Sequence, residues 1–488
     1  MDTFNIISFV ILFFLMINVV FAGFVVFFER RKPSSTWAWL LVLFFIPIFG
    51  FLIYLVFGRD GKKEKIFSDK CKYDNDVYYN YIFGMRKYSE DVQRQKNAMK
   101  ERDGITHFKY LDDLAYLHIN SGSYMTFNNK ISHFIDGKSK FESLINDIRN
   151  AKEYIHMEYY IFRGDNLGNK IVDELTKKAK EGVEVRLLYD GMGNALLPKN
   201  FFKRLTDAGG HVIAFLPPFI IRLNYRNHRK ICVIDGKIGY IGGFNIGDEY
   251  LGLVKRYGQW RDTHLRVEGD CVDQLQIRFI MDWNFTSNQN QVKLEEKYFP
   301  ERKNFDGIRM QIVSSGPDTK WKNVRNGYFK MMNEAEYHIY VETPYFVPDD
   351  GILEALKVAA LSGIDVRIII PGNPDHLFVY WASMSYLGEL LDAGVKCYQY
   401  EKGFIHSKAV FIDGAVSSIG TANMDVRSFG LNFEVNTFIY DKKFTEKMEQ
   451  DFKNDLKNSM EITKQWYRNR KLFFKIRESI ARLISPIL

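Results

Sequence analysis

The constellation His228, Lys230, Asp235, Gly242 and Asn245 returns 178 positions later as His406, Lys408, Asp413, Gly420 and Asn423, so both copies read His-x-Lys-x4-Asp-x6-Gly-x2-Asn. Five residues repeated at one constant offset imply that the chain builds the same unit twice. They restrict the chemistry as well. One imidazole can attack a phosphorus while its twin handles the leaving-group proton, and two ammonium groups can hold the charge of the phosphate. The pattern points to phosphodiester chemistry that needs no metal, nucleotide or other cofactor. A single such histidine could be a hydrogen-bonded core residue; two in the same five-residue setting argue against that.

The repeat extends upstream of the motif. Residues 150–162, Asn-Ala-Lys-Glu-Tyr-Ile-His-Met-Glu-Tyr-Tyr-Ile-Phe, resemble residues 334–346, Glu-Ala-Glu-Tyr-His-Ile-Tyr-Val-Glu-Thr-Pro-Tyr-Phe. Each stretch is expected to form a strand carrying a glutamate, Glu158 or Glu342. A helical pattern and a second apolar strand follow (182–189 and 363–370), then a helix ending near Asp207 or Asp392, then the motif strand Lys230–Ile234 or Lys408–Ile412. Alternating strands and helices imply an α/β fold with mixed or largely parallel sheets. Two pseudo-symmetric halves are expected to face each other, since each alone supplies half of a site.

At 488 residues the chain is long enough for two globular units or more, and its net charge of +8 suits anionic lipid surfaces and nucleic acid alike. Cys71, Cys232, Cys271 and Cys397 lack Cys-x2-Cys spacing, so neither a zinc site nor a disulfide framework is indicated. The amino terminus decides more. Residues Ile6–Phe28 hold almost nothing polar except Ser8 and Asn18, and Trp37–Phe57 is equally apolar with Pro47 as an expected kink. Runs of this length match a hydrocarbon core of about 30 Å, so a two-helix transmembrane hairpin and a multi-pass cell-membrane location are expected. Met1-Asp2-Thr3 lacks the basic start of a cleaved signal peptide. Arg30, Arg31 and Lys32 flank one end, and Arg59, Lys62, Lys63 and Lys65 the other; the positive-inside rule slightly favours a cytoplasmic catalytic region. The expected organisation is a hairpin at 1–58, a connector at 59–121, repeats at 122–305 and 306–464, and a basic amphipathic helix at 465–488. That last helix suits an anionic membrane interface, or docks on the domain as an ordinary terminal helix.

A phosphodiester repels nucleophiles until its charge is neutralised. Lys230 and Lys408 are the expected partners of its non-bridging oxygens, with Asn245 and Asn423 adding amide donors after the turns at Gly242 and Gly420. Glu158 and Glu342 are expected to face substrate. One histidine, His228 or His406, is expected to be the neutral nucleophile, with the other kept cationic by a carboxylate as the acid. Asp262 and Glu434, which follow the two motifs at comparable distances, are each expected to orient the histidine of their own half. Asp235 and Asp413 are read as catalytic, with a turn-holding role as the alternative because each precedes a glycine at a strand end. His107, His118, His133 and His376 have no comparable setting and are read as structural or exposed.

Together these strings resemble the phospholipase D superfamily, and the bacterial cardiolipin synthases within it. The resemblance runs over nearly the whole chain: Pro33-Ser-Ser-Thr-Trp-Ala-Trp, Glu158-Tyr-Tyr-Ile-Phe, Asn227-His-Arg-Lys, Trp260-Arg-Asp-Thr-His-Leu-Arg, His406-Ser-Lys and Ser485-Pro-Ile-Leu. It implies two phospholipase D-like domains and conversion of two phosphatidylglycerol molecules to cardiolipin and glycerol. His228 would be the nucleophile and His406 the acid and base, with the reverse assignment left open by the symmetry. Thr343-Pro344 stands where the first half has Tyr159-Tyr160, so the two cleft walls are expected to differ. Alternatives remain: a phospholipase D giving phosphatidic acid, a non-catalytic scaffold binding anionic lipid, and a nuclease. The nuclease is disfavoured because no basic stretch with interleaved aromatics runs through the halves, so no nucleic-acid partner is expected.

Overall fold

The computed structural model describes residues 3–27, 33–46, 49–50, 54, 61–84, 86–101, 109–216, 224–287, 289–301, 303–305 and 307–485. Pro47, the basic residues Arg30, Arg31, Lys32 and Arg59, His107 and residues 486–488 lie outside them. Two compact units result, one of Met1–Lys72 with Pro218–Asn224, the other of Tyr73–Pro217 with Tyr225–Leu488.

In the first unit, the helices Thr3–Phe27 and Pro33–Phe45 meet through Val25 and Leu43, with Tyr54 completing a small core, and the Asn18 amide donates to the Leu43 carbonyl at 2.9 Å. The side chains of Thr3–Phe27 are described only in part. Among the described residues no helix is long and apolar enough to cross a membrane.

The second unit holds both repeats. The first repeat builds a sheet in the order Asn129–Asp136, Gln259–Gly269, Ile238–Gly242, Ile231–Ile234, Tyr154–Tyr159, Glu184–Asp190, His211–Phe215. The second builds Ser459–Ile462, Lys396–Tyr400, Asp365–Pro371, His338–Glu342, Ala409–Ile412, Val416–Gly420, Asn432–Ile439, with Met310–Ser315 also on the last strand. Both sheets are mixed: the strand after the glutamate-bearing strand pairs parallel to it, the motif strand antiparallel. The strands Tyr154–Tyr159, Ile231–Ile234, Ala409–Ile412 and Asn432–Ile439 are buried on both faces, as strands covered by helices on either side must be. One apolar core lies under Ile155, Leu187 and Cys232, the other under Val341, Ile368 and Val410.

The two sheets also exchange strands. Arg226–Asn227, just ahead of the first motif, leaves its own half and pairs parallel with Asn432–Phe433 of the second. Gly403–Ile405, just ahead of the second motif, pairs parallel with Gln259–Arg261 of the first. A two-residue and a three-residue strand have too few side chains to show a period, so this exchange is not written in hydropathy.

At the carboxy terminus, the helix Leu472–Ile484 docks on the helix Leu377–Ala393: Ala481 is fully buried with Val347 and Ala382, and Arg482 pairs with Glu389 at 2.5 Å. Its outer face leaves Leu472, Phe473, Ile476, Ile480 and Leu483 exposed.

Candidate active site

The strand exchange decides which groups meet. With Asn227 opposite Phe433, the His228 N–H donates to the Phe433 carbonyl at 3.0 Å and its Nδ1 lies 3.0 and 3.1 Å from the carboxylate oxygens of Glu434. With Ile405 opposite Arg261, the His406 N–H donates to the Arg261 carbonyl at 2.7 Å and its Nδ1 lies 2.6 Å from Asp262. Each histidine is therefore oriented by the other half's carboxylate. The expectation that Asp262 and Glu434 serve their own halves is corrected, because the segment delivering each histidine has crossed to the opposite sheet. In both cases Nδ1 is occupied and Nε2 is left for chemistry.

Neighbours hold the carboxylates in place. Thr421 donates to Glu434 at 2.6 Å, and a Cβ at Gly243 would collide with the Asp262 carboxylate, so glycine is what leaves room for it. Burial pushes both carboxyls up, but His228 and Lys230 hold Glu434 below the usual range, and His406 and Lys408 do the same for Asp262. Lys230 and Lys408 are sealed from solvent and donate to the carbonyls of His228 and His406 at 2.6 and 2.5 Å. Burial pulls their ammonium pKa values down to about 7 and about 8.

For the imidazoles, burial is the largest cause of pKa values pushed down to about 4. Glu434 opposes it and Lys230 adds to it at His228; Lys408 adds to it and Asp262 opposes it at His406. Burial and the neighbouring lysine thus work against the carboxylate that was expected to keep one histidine cationic. Desolvation and the neighbouring lysine outweigh a single carboxylate until a bound anion adds negative charge.

Both histidines, both asparagines and Tyr160 line one cavity of about 600 Å³. The Asn423 side-chain oxygen is buried without a hydrogen-bond partner, which leaves an amide atom for a ligand. The walls differ: the Tyr160 ring meets His228 edge-on at 4.9 Å, while Trp260 meets His406 at 5.2 Å. Tyr159 is a core residue and Thr343 caps the Met424 N–H, so within the pairs Tyr159-Tyr160 and Thr343-Pro344 it is Tyr160 that lines the cavity, and Trp260 adds a second difference between the walls.

Two other expectations are corrected. Asp235 and Asp413 sit at the far ends of the motif strands, in left-handed backbone at φ 51° and 56°, followed by Gly236 and Gly414 at 61° and 60°, as a type I′ hairpin requires. Asp235 accepts the N–H groups of Lys152, Glu153 and Tyr154 at 2.8–2.9 Å, and Asp413 those of Glu336, Tyr337 and His338 at 2.8 Å. They tie the hairpin to the start of the glutamate-bearing strand and do not reach the cavity.

Glu158 and Glu342 are sealed behind the motifs and do not line the cavity. Glu158 accepts from the Asn227 amide beside His228, and its carboxyl is raised by burial and by Asp282 against the pull of Arg229. Glu342 lies 3.6 Å from Arg261, which also binds Asp455 at 2.7 Å, and burial raises its carboxyl too. The strand alternation that aims these glutamates inward aims them at buried arginines, not at substrate.

Of the other histidines, His118 is fully buried against Phe438, His133 bonds Asp451 at 2.9 Å, and the exposed His376 lines the cavity mouth. Cys232, Cys271 and Cys397 are buried, and no disulfide forms among the described residues. Among the described residues no three His, Cys, Asp or Glu side chains converge as a metal site. Sequence reasoning gave no role to Thr421 or Arg229; the identical spacing of the motifs drew attention to what the halves share, and these residues differ between them.

The family described as "Cardiolipin synthase, PLD-like domain" matches residues 144–283 and 328–456, and that described as "Phospholipase_D-nuclease N-terminal" matches residues 7–59. A cardiolipin synthase of Listeria welshimeri is 49% identical over 490 residues, covering 99% of this chain and all of that protein. The major cardiolipin synthase of Bacillus subtilis is 47% identical, covering 97% and 98%. Among solved structures, a phosphatidylserine synthase of Haemophilus influenzae superposes with a TM-score of 0.59 at 16% identity, covering 73% of this chain and 95% of that one, which shows a shared fold. With the family match spanning both repeats and relatives near half identity along the full length, the chain belongs to the phospholipase D-like cardiolipin synthase family.

Proposed function

We propose that the protein joins two phosphatidylglycerol molecules into cardiolipin and releases glycerol, through a phosphatidyl-histidine intermediate. The observation that carries this reading is the pair of histidines in one cavity, each with Nδ1 held by a carboxylate and Nε2 left for phosphorus or a proton. His228 Nε2 attacks phosphorus, the P–O bond to the departing glycerol breaks, and His406, protonated in the substrate complex, gives that oxygen its proton. His406 then removes the proton from a hydroxyl of the second lipid, whose oxygen attacks phosphorus as the P–Nε2 bond breaks. The short 2.6 Å contact of His406 with Asp262 supports giving it the role that becomes cationic. Lys230 and Lys408 neutralise the phosphate, and Asn245 and Asn423 add donors. Because one phosphodiester is exchanged for another through the P–N bond, the scheme needs no nucleotide to drive it, and the lysines supply its positive charge.

The reading keeps 122–305 and 306–464 as the two repeats, 59–121 as a connector, and 1–58 as a membrane anchor entering a cell membrane with two spans. The uncharged run Ile6–Phe28 and the match of residues 7–59 support the anchor. The exposed apolar side chains of Leu472–Ile484, flanked by Lys471, Lys475 and Arg477, suit contact with an anionic bilayer, and Leu377, Phe378 and Ser485 bring the cavity mouth to the same side. A cytoplasmic site follows from the positive-inside bias.

The test is product analysis. Purified protein in mixed micelles of labelled phosphatidylglycerol, without metal or nucleotide, is expected to release one glycerol per cardiolipin, and His228→Ala and His406→Ala to release neither. Phosphatidic acid in place of cardiolipin would make the enzyme a hydrolase; unchanged lipid turnover in both variants would remove the histidines from the mechanism.

A further inference from the structure

We propose that Lys140, sealed beneath Asp262, is a positioning residue that makes the Asp262–His406 pair the proton donor and leaves the Glu434–His228 pair as the nucleophile. The inference rests on the transfer reading above and names what breaks the symmetry between the two histidines. Lys140 lies in the first turn of the helix Gly137–Asn150, which follows the strand Asn129–Asp136 and packs on the strand Gln259–Gly269. Asp136 stands opposite Arg261, so the helix begins beside that end of the strand. Farther along the helix, Asp147 binds Arg266 at 2.7 Å. Side chains alternate along a strand, so Asp262, His264 and Arg266 share the face that the helix covers. Lys140 stands two turns before Asp147, an advance of about 10 Å, and Asp262 stands about 13 Å before Arg266, which brings both to the same end of the layer.

Lys140 is fully buried, and its ammonium donates to the Tyr159 hydroxyl at 3.1 Å and stands 3.7 Å from the centre of the Phe141 ring. The other ionisable groups facing it from the sheet hold no negative charge. Burial raises the Tyr159 hydroxyl and the Cys232 thiol, Tyr240 donates to Asp147 at 2.5 Å, and burial keeps His264 neutral, with Lys140 and Lys230 adding to the effect. Asp262 is the carboxylate that meets this ammonium. Burial pulls the Lys140 pKa down to about 7, and Cys232 and Asp262 oppose it.

The second half puts neutral groups in the same places. Lys140 stands 18 residues before Glu158, and the buried Val324 stands 18 before Glu342. His264 pairs with Gly242, and Asn436 with Gly420. Behind Glu434 the Asn436 amide donates to the Tyr328 hydroxyl at 2.8 Å. A cation behind a carboxylate weakens its hold on an imidazolium in front of it. Lys408 and Lys230 already face His406, and Lys140 acts on it through Asp262. Protonated His406 is therefore the stronger acid, and His228, on a carboxylate backed by neutral groups, the better nucleophile. In the donor step the P–Nε2 bond to His228 forms, the P–O bond to glycerol breaks, and the proton on His406 Nε2 passes to that oxygen.

Lys140→Met removes the charge at similar length, and Lys140→Gln keeps a donor for Tyr159. In full-length, histidine-labelled protein holding a non-reacting phosphonate analogue of phosphatidylglycerol, a nitrogen-15 titration reads both imidazoles at once. Either variant should raise the His406 midpoint by about one pH unit and move that of His228 by less than about a third as much. The weaker acid should slow glycerol release from phosphatidylglycerol by about threefold, but not p-nitrophenol release from phosphatidyl-p-nitrophenol, whose leaving group needs no proton. A purely structural role would leave both midpoints in place. An unmoved His406, equal shifts of both histidines, or equal slowing with both donors would overturn the proposal. The titration involves no turnover, so wild-type protein that made phosphatidic acid in place of cardiolipin would defeat the transfer reading while the midpoints still decided the role of Lys140.

Discussion

At the scale of single residues, the crossed pairs make a claim that spacing along the chain does not. His228 depends on Glu434 and His406 on Asp262. Glu434→Gln and Asp262→Asn should each lower kcat by about 10- to 100-fold, the usual loss for a group that orients a functional imidazole. In nitrogen-15 spectra of histidine-labelled protein, Glu434→Gln should move the His228 Nδ1 signal and Asp262→Asn that of His406; the opposite correspondence would contradict the crossing. Asp235 and Asp413 behave differently. Because asparagine tolerates their left-handed backbone, Asp235→Asn and Asp413→Asn remove little but acceptor strength toward three N–H groups each, and should cost about 1–3 kcal/mol of stability. Their folded fraction should keep kcat within about twofold, checked by thermal unfolding beside an active-site titration. The motif aspartates were legible in the sequence, and the glycine after each left turn-holding open beside catalysis; spacing alone does not choose, since it records that a residue recurs and not which way its strand end faces. Lys230 and Lys408, with pKa values drawn down to about 7 and about 8, bind phosphate only when protonated. Loss of that proton removes positive charge, so KM for phosphatidylglycerol should rise as pH climbs past about 8, bound phosphate shifting the onset upward. A KM that is flat to pH 10 would show that these ammonium groups do not hold the substrate.

At the scale of elements, the repeating strands could be read from the chain and the exchanged ones could not. The motif strands Ile231–Ile234 and Ala409–Ile412 begin one residue inside the expected ranges, because unbroken apolar runs between turn residues mark buried strands well. The strands Arg226–Asn227 and Gly403–Ile405 carry the histidines across the interface and are too short to leave a pattern. Gly403 offers a direct test of that exchange: a Cβ there would collide with the Gln259 backbone to which it pairs. Gly403→Ala should displace His406 from Asp262 and lower kcat by about 100-fold, the scale of a 1 Å misplacement, with a smaller effect on the melting temperature. Activity within about twofold of wild type would mean that the crossing strand does not set the position of His406.

At the scale of the whole molecule, one compact unit holds both repeats, so neither half carries a complete centre: each supplies a histidine to the other's carboxylate. Duplication was plain in the sequence and this reciprocity was not, because it depends on where two loops cross in space. Where one helix was expected over residues 465–488, Lys464–Arg468 and Leu472–Ile484 are separate helices; the second docks through Ala481, as one of the two expectations had it, and leaves a row of apolar side chains facing outward. Replacing Leu472, Ile476, Ile480 and Leu483 by serine should weaken binding to anionic vesicles by about tenfold or more, as the loss of inserted apolar surface implies, while turnover of a short-chain soluble phosphatidylglycerol stays unchanged; equal vesicle binding would show that this face does not meet the bilayer. The central claim is the covalent transfer itself. Enzyme denatured in detergent at alkaline pH during turnover of phosphatidylglycerol labelled in its phosphate should carry the label on the imidazole of His228, carry less of it when excess glycerol is added before denaturation, and carry none when His228 is replaced by asparagine. Steady cardiolipin synthesis with no label on either His228 or His406 would contradict a phosphatidyl-histidine pathway.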